Sequence, residues 1–440
     1  MRKLALFFFS FVLLLTAENH KLTLQQTLEL AARQNPDVTL ARLDQNKAEE
    51  GIRVAQDPFH PKLFTGSGAA YTYGYPNTIE GSAPAIFQVT TQEALFNRPK
   101  SYELAASREL ARASEYGALA KTDEVAYEAA DLFLRASQIE HAGQTLTSQI
   151  PDLQKVVDTM SAAVTEGSEL PLELKRARVN LASSVEQLSS TQLDEDYYEM
   201  NLAVVVGYPA TDRVKPIDSN FLSVMTPSSE ADAVDTALRN SEQMRQMQSN
   251  ILAKEMDLRS FKSARWPTVD LVAQYALFAK YTYSQYFPST KFQRNNFQLG
   301  AAVTIPLLLG TARGGYMAQA YTDVQKLRIQ ADQLRNHILV DTRRSYQQWK
   351  KAENLRDLAR MKLDLAREDL TVKLAQNGEG RVPLRELEQS RLDESDLWMQ
   401  LYDAEAQVTR AKLAILRQMG TLTAAILNQD RGAQPSVNHP

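Results

Sequence analysis

Residues able to do chemistry are sparse in this sequence, and they are not arranged to do it. The five histidines, His20, His60, His141, His337 and His439, are scattered, with no pair at a metal-ligand spacing. Cysteine is absent, which excludes a disulfide scaffold, a thiolate metal site and an N-terminal lipidated cysteine. Gly310-Thr-Ala-Arg-Gly-Gly315 superficially looks like a phosphate loop but lacks the Lys-Ser/Thr pair that grips phosphate. No Gly-x-Ser-x-Gly occurs. Met244, Met247 and Met256 fall at helical spacing and read as core, with copper binding the remote alternative. The sequence offers no catalytic constellation, no metal site and no cofactor site. Two short stretches do share a chemical pattern. Gly167-Ser-Glu-Leu-Pro-Leu-Glu173 and Gly380-Arg-Val-Pro-Leu-Arg-Glu386 each set an acid six residues after a glycine, whose missing Cβ permits a φ > 0 turn.

The elements that position those turns come in two copies. Asn35-Pro36 and Pro61 in the first half answer Asn240 and Pro267 in the second, Val125 answers Val340, and Gly167 answers Gly380. Length alone would allow about three ordinary domains, but a repeat this large overrides that count. A doubled unit suits a ring or tube better than a catalytic cleft. Charge is nearly balanced, with 49 basic and 53 acidic residues and a net charge of −4. There is no basic stripe for nucleic acid, and charges of alternating sign along helical stretches read as solvated faces. Arg2 and Lys3 followed by Leu4–Leu15, apolar apart from Ser10, resemble a secretory signal, too short for a stable bilayer span, with an uncleaved anchor helix as the alternative, so residues 1–17 are set apart from the fold. Beyond them no run approaches ~18 apolar residues. A mature chain that spans a membrane must then do so as a closed barrel, since only helices and closed barrels satisfy their backbone in lipid.

Residues 22–34 and 37–56 read as helix broken at Pro36, and Pro58 and Pro61 end the second piece. Leu63–Tyr75 and Ala85–Phe96 read as extended, joined by a loop. In the second half Val269, Leu271, Ala273, Tyr275 and Leu277 alternate with other residues, and Phe292–Ile305 pairs with them. Neither face of these strands is purely apolar. Tyr71, Tyr73, Tyr75, Tyr281, Tyr283, Tyr286 and Phe287 cluster near strand ends, as at a membrane–water interface or as ordinary strand formers. The helices carry the stronger signal. Val125, Ala129, Leu132, Ala136, Ile139, Gly143, Leu146, Ile150, Leu153, Val157, Met160 and Val164 are spaced 4,3,4,3. Met317 to Ile338 and Leu397 to Ile415 repeat that spacing, a heptad pattern that implies supercoiled packing. Pro99–Val164 and Thr311–Gln376 are 66 residues each, about 100 Å as helix. The return arms 171–206 and 383–419 and the opening helices 22–56 and 231–264 are each about half that. A bend is expected at Pro151. The organisation is a first repeat over 18–207, a linker over 208–230, a second repeat over 231–420, and a disordered tail over 421–440.

The opening Leu22-Thr-Leu-Gln-Gln-Thr-Leu-Glu-Leu-Ala-Ala-Arg-Gln-Asn-Pro36, the turn Ile305-Pro-Leu-Leu-Leu-Gly310 and the two Gly-to-acid turns resemble the TolC-type outer-membrane efflux family over residues 22–420. That resemblance implies a mostly α fold with β, internally duplicated. Three protomers of four strands each close a twelve-stranded β-barrel continuous with a long coiled-coil α-barrel. It implies a passive outer-membrane exit duct of a tripartite efflux or type I secretion system, with its helical portion in the periplasm. Its partners are a homotrimer, outer-membrane lipid, a periplasmic adaptor docking at the tip turns and an inner-membrane pump that supplies energy. It implies that Gly167, Glu173, Gly380, Arg381, Arg385, Glu386 and Gln389 lie at a periplasmic gate, with Glu386 at a pore-lining position and Arg381 and Arg385 pairing with Glu173. Gln389 departs from the family, which often repeats the acid there. Two alternatives stay open at this point. The charges could be solvated residues near helix ends, and the chain could be a soluble periplasmic coiled-coil scaffold or adaptor without a pore.

Overall fold

The structure, a computed structural model, describes residues 18–67, 85–217, 226–278, 295–379 and 381–423. The expected signal segment and the tyrosine cluster lie outside these residues. Strand β1 (Asn19–Leu22) leads into helices α1 (Leu24–Gln34) and α2 (Pro36–Gln56), then strands β2 (Lys62–Gly66) and β3 (Ala85–Phe96), then helices α3 (Arg98–Thr165) and α4 (Pro171–Val206). A short strand, β4 (Arg213–Pro216), precedes the second copy: α5 (Glu230–Asn240), α6 (Glu242–Ser263), β5 (Thr268–Phe278), β6 (Asn295–Thr304), α7 (Ala312–Gly378) and α8 (Leu384–Gln418). Both long helices match the expected arms to within two residues. Helix α3 continues through Pro151, which removes one rung of its ladder without ending it.

The sequence reads 231–264 as one helix, yet it breaks after Asn240, as the first half breaks after Gln34. The same joint explains both breaks. Asn35 Nδ2 donates to the carbonyl of Val205 at the end of α4 (2.9 Å), while its Oδ1 accepts from the N–H groups of Asp37 and Val38 at the start of α2. One side chain thus satisfies orphan groups of two helix ends. Gly207, at φ 95°, closes α4 so tightly against α1 that a Cβ there would lie 2.8 Å from the Gln34 carbonyl oxygen. In the second copy Asn240 Nδ2 donates to the Met419 carbonyl (3.2 Å), and Gly420, at φ 63°, lies where a Cβ would sit 3.1 Å from Asn240 Cβ. No proline marks the second break, so the asparagine and its glycine partner carry it.

The chain divides into two compact units, each drawn from both halves. The first comprises the described residues of Met1–Ala41, Leu119–Glu242 and Arg335–Pro440. Its main core gathers Leu24, Leu28 and Ala31 of α1, Val125, Ala129 and Phe133 of α3, Leu202 and Ala203 of α4, Val214 of β4, and Leu413 and Leu416 of α8. Strands β1 and β4 pair in parallel from Asn19↔Arg213 to Leu22↔Pro216. At four residues each they are too short for alternation to reveal. His20 stacks on Tyr208, with its Nε2 3.3 Å from Asp212 Oδ2. Residues 421–423, expected to begin a disordered tail, are packed instead: Leu422 joins the core and Thr423 Oγ1 donates to Asp123. The 4,3,4,3 positions of α3 and α8 are all buried or half-buried, with Val125, Ala129, Leu146 and Ile415 among the most enclosed.

The second unit comprises the described residues of Arg42–Ala118 and Gln243–Leu334. It holds a four-stranded antiparallel sheet in the order β2-β3-β5-β6, the hairpin of each half meeting at β3–β5. Register sorts the side chains that looked mixed strand by strand. Residues directly opposite each other share a face, so Leu63, Val89, Val269, Leu271, Tyr275, Phe297, Leu299 and Val303 line one side. Gln88, Thr90, Gln92, Asp270, Gln274, Asn296, Gln298 and Thr304 line the other. As expected, neither face is purely apolar: Thr65, Thr91, Glu93 and Asn295 share the mainly apolar face, and Phe64 and Val272 share the mainly polar one.

Candidate functional site at the helical-hairpin turns

The turn between α3 and α4 is built by its glycine. Gly167, at φ 73°, lets Ser168 N–H reach back to the Ala163 carbonyl (2.9 Å) while its own N–H bonds Val164 (3.1 Å). This double bond pattern closes the end of a helix. Leu170 then caps α4 with Pro171 in its first position, where a missing N–H costs nothing. Glu173 falls three residues after the cap, its N–H on the Leu170 carbonyl (3.0 Å). The second turn repeats this plan. Arg381 N–H reaches the Gln376 carbonyl (2.9 Å), Asn377 Nδ2 donates to the Val382 carbonyl (2.8 Å), Pro383 caps α8, and Glu386 N–H bonds Pro383 (3.0 Å). Gly380 lies outside the described residues. The equal Gly-to-acid spacing thus puts Glu173 and Glu386 at the same place, in the first turn of a helix where the macrodipole favours an acid.

The two acids then differ. Glu173 is almost enclosed, with its side chain 8% exposed and Oε1 3.0 Å from Arg176 Nη1. Glu386 is exposed. Arg381 pairs with Glu379 (3.1 Å), and Arg176 pairs with Glu173. Arg176 sits one turn from Glu173 on the same helix face, which brings that pair within reach. Arg385 lies in the first turn of α8, and its side chain is not among those described. Gln389 is exposed and donates to Asp393 Oδ1 (2.9 Å).

A groove of about 680 Å³ lies beside these turns, lined by Leu153 and Met160 of α3, Leu172, Glu173 and Arg176 of α4, and Glu386 and Gln389 of α8. The structure therefore brings Glu173, Glu386 and Gln389 together. It also adds residues that spacing did not reveal. Glu388 and Arg391 (3.0 Å apart) line the adjoining groove with Asp152 and Lys155. Burial pushes the Glu388 carboxyl above the usual glutamate range, Arg391 opposes that, and Asp152 adds to it. Behind them Lys373 donates to the buried Ser390 hydroxyl (2.7 Å) and pairs with Asp369 (2.9 Å), which holds the Asp369 carboxyl below its usual range. Arg367 spans α7 to α8, lying 3.4 Å from Glu394 and stacking over the Trp398 ring (4.3 Å to its centroid). No group of three or more potential metal ligands occurs among the described residues. The i, i+3 and i, i+4 spacing of Glu388–Arg391 and Asp369–Lys373 was the available signal, but such pairs abound on every helix here.

No protein-family model matches the chain, and no curated protein matches it by sequence. Solved structures match over nearly its whole length. The outer-membrane channel OprN is 16% identical with a TM-score of 0.73, covering 90% of this chain and 89% of that chain. CusC, whose crystal structures concern folding and transmembrane channel formation, is 14% identical with a TM-score of 0.75, covering 90% and 92%. The Campylobacter jejuni CmeC outer membrane channel is 13% identical with a TM-score of 0.74, covering 94% and 90%. At these identities the likeness is one of fold.

Proposed function

We propose that this chain, which has the TolC-type outer-membrane channel fold, is one third of an outer-membrane exit duct. The observation that carries the reading is the sheet. Its order β2-β3-β5-β6 leaves one side of β2 and one side of β6 without a partner among the described strands. One face is mainly apolar and open, with Phe297 69%, Leu299 66% and Val303 61% exposed. In water such a sheet is an aggregation template, and in lipid its free edges are prohibitive. Both problems vanish when β6 of one copy pairs with β2 of the next. Three copies supply twelve strands, with the apolar face toward lipid and the Gln, Asn and Thr face toward a water-filled lumen. No helix is long and apolar enough to cross a membrane among the described residues.

The conduit is passive, with energy supplied by an inner-membrane pump and a periplasmic adaptor docking at the helical-hairpin turns. Three Glu386 carboxylates form an anionic ring at the gate, with Gly167, Glu173, Gly380, Arg381, Arg385 and Gln389 around it. An exposed carboxylate ring attracts cations and repels anions. The test is reconstitution. The purified protein should be a heat-modifiable, detergent-requiring trimer that forms conducting channels in planar bilayers. A monomer soluble without detergent and silent in bilayers would instead support a pore-free periplasmic scaffold.

A further inference from the structure

The sheet's register puts all four of its helix-facing connections on one edge. These are 57–62 before β2, 97–100 after β3, 262–267 before β5 and 305–313 after β6. Their composition is one-sided. They carry six Lys or Arg residues (Lys62, Arg98, Lys100, Lys262, Arg265, Arg313) and His60 against the single acid Asp57. Lys62 is neutralised by Asp57, and Lys100 by Glu103. Arg313 is spent on structure, its guanidinium donating to the carbonyls of Phe261 and Lys262 (3.0 Å each) and so closing the end of α6. Lys262 and Arg265 are exposed and form no ion pair among the described residues. Arg98 lies over the half-exposed Trp266 ring (4.1 Å), holding an amphipathic indole at the same edge. On the connection that follows β6 at the same end of the sheet, Leu307 and Leu308 are each 93% exposed.

We infer that this edge is a binding belt for anionic phospholipid headgroups, with Lys262 and Arg265 pairing with the phosphates and Leu307 and Leu308 inserting among the adjacent acyl chains. The inference rests on the reading of the sheet as a membrane wall and adds its lipid specificity. Charge complementarity commits the occupant. Exposed cations without protein partners beside an indole and bare leucines match an interface where an anionic surface overlies hydrocarbon. A protein partner would leave Leu307 and Leu308 in search of a pocket, whereas a lipid leaflet accepts them without one. The rest of the apolar face, from Val269 and Val303 onward, continues into the hydrocarbon.

Native mass spectrometry of the full-length trimer tests this, using phosphatidylglycerol and phosphatidylcholine of identical acyl chains as probes. Wild type should retain phosphatidylglycerol preferentially, and the preference should fade at high salt. K262Q/R265Q should reduce it about fivefold or more for each lost charge, while L307S/L308S should weaken both lipids alike. Equal retention of the two lipids by wild type, or full preference in K262Q/R265Q, overturns the belt. Bilayer conductance of the same wild-type sample separates the two readings. A conducting trimer with no lipid preference rejects the belt alone, and a preparation that neither trimerises nor conducts rejects the channel on which it rests.

Discussion

The duplicated joint makes a sharp prediction, because three glycines share a backbone conformation but not their surroundings. Gly167, Gly207 and Gly420 all have positive φ (73°, 95° and 63°). An L-residue in the left-handed region costs about 1–2 kcal/mol. At Gly167 nothing lies within 4 Å of an added Cβ, so Gly167→Ala should cost that much and no more. At Gly207 the methyl would lie 2.8 Å from the Gln34 oxygen, 2.9 Å from Gln34 Cβ and 3.0 Å from Gln34 C. Two of these atoms are backbone, and shifting them would pull Asn35 from the Val205 carbonyl it holds at 2.9 Å. Overpacking of this kind adds about 1–3 kcal/mol, for a total near 2–5 kcal/mol. Gly420 meets Asn240 at 3.1–3.2 Å and should fall between the other two. Denaturant midpoints followed by far-ultraviolet circular dichroism on the three variants give the order. If Gly207→Ala is no worse than Gly167→Ala, α4 does not close against α1 as described and the joint is not a structural requirement.

Asn35→Ala should cost about 1–3 kcal/mol in the same assay, because it strands the Val205 carbonyl and two N–H groups at the start of α2; a change within error would mean that water replaces the side chain. Leu299→Arg and Gln298→Arg sit on opposite faces of β6. The first should lower the yield of heat-modifiable trimer, at about 2–4 kcal/mol near the bilayer midplane, and the second should be tolerated; equal yields would contradict the assignment of faces. Glu386→Ala should reduce cation preference in planar-bilayer recordings, and unchanged selectivity together with unchanged divalent block would remove Glu386 from the gate. Burial, the largest influence on Glu388, raises its folded-state pKa, so its contribution to stability is full below the ordinary glutamate range and is lost as pH rises through the raised value. Glu388→Gln should therefore match wild type in acid and gain on it as pH approaches neutrality. A constant gap across that range would show that the carboxyl is not shifted.

The helical architecture was legible because it is periodic and long. Twelve 4,3,4,3 positions on α3 leave little doubt about which face is buried. The ends of α4, Pro171 and Val206, follow from a proline and a glycine whose backbone preferences act within a few residues. Glu173 and Glu386 were legible for the same reason, since the Gly-to-acid spacing fixes where each falls in its helix. Local signals failed where a long-range contact decided the outcome. No proline follows Asn240 to announce a break, and its partner, Met419, is 179 residues away. Strands β1 and β4 exist only through each other, 194 residues apart at Asn19↔Arg213.

The sequence by itself determined the duplication, the lengths of the arms, the positions of the turns and the shortage of catalytic groups. Each of these is encoded by residues within a few turns of one another. Tertiary structure decided three things. It sorted weakly alternating strands into one mainly apolar and one mainly polar face, because a face is a property of four strands in register. It enclosed Glu173 while leaving Glu386 open, because burial depends on which helices pack beside a turn. It gathered the cations of four connections onto a single sheet edge, because strand pairing brings together segments that the chain holds far apart.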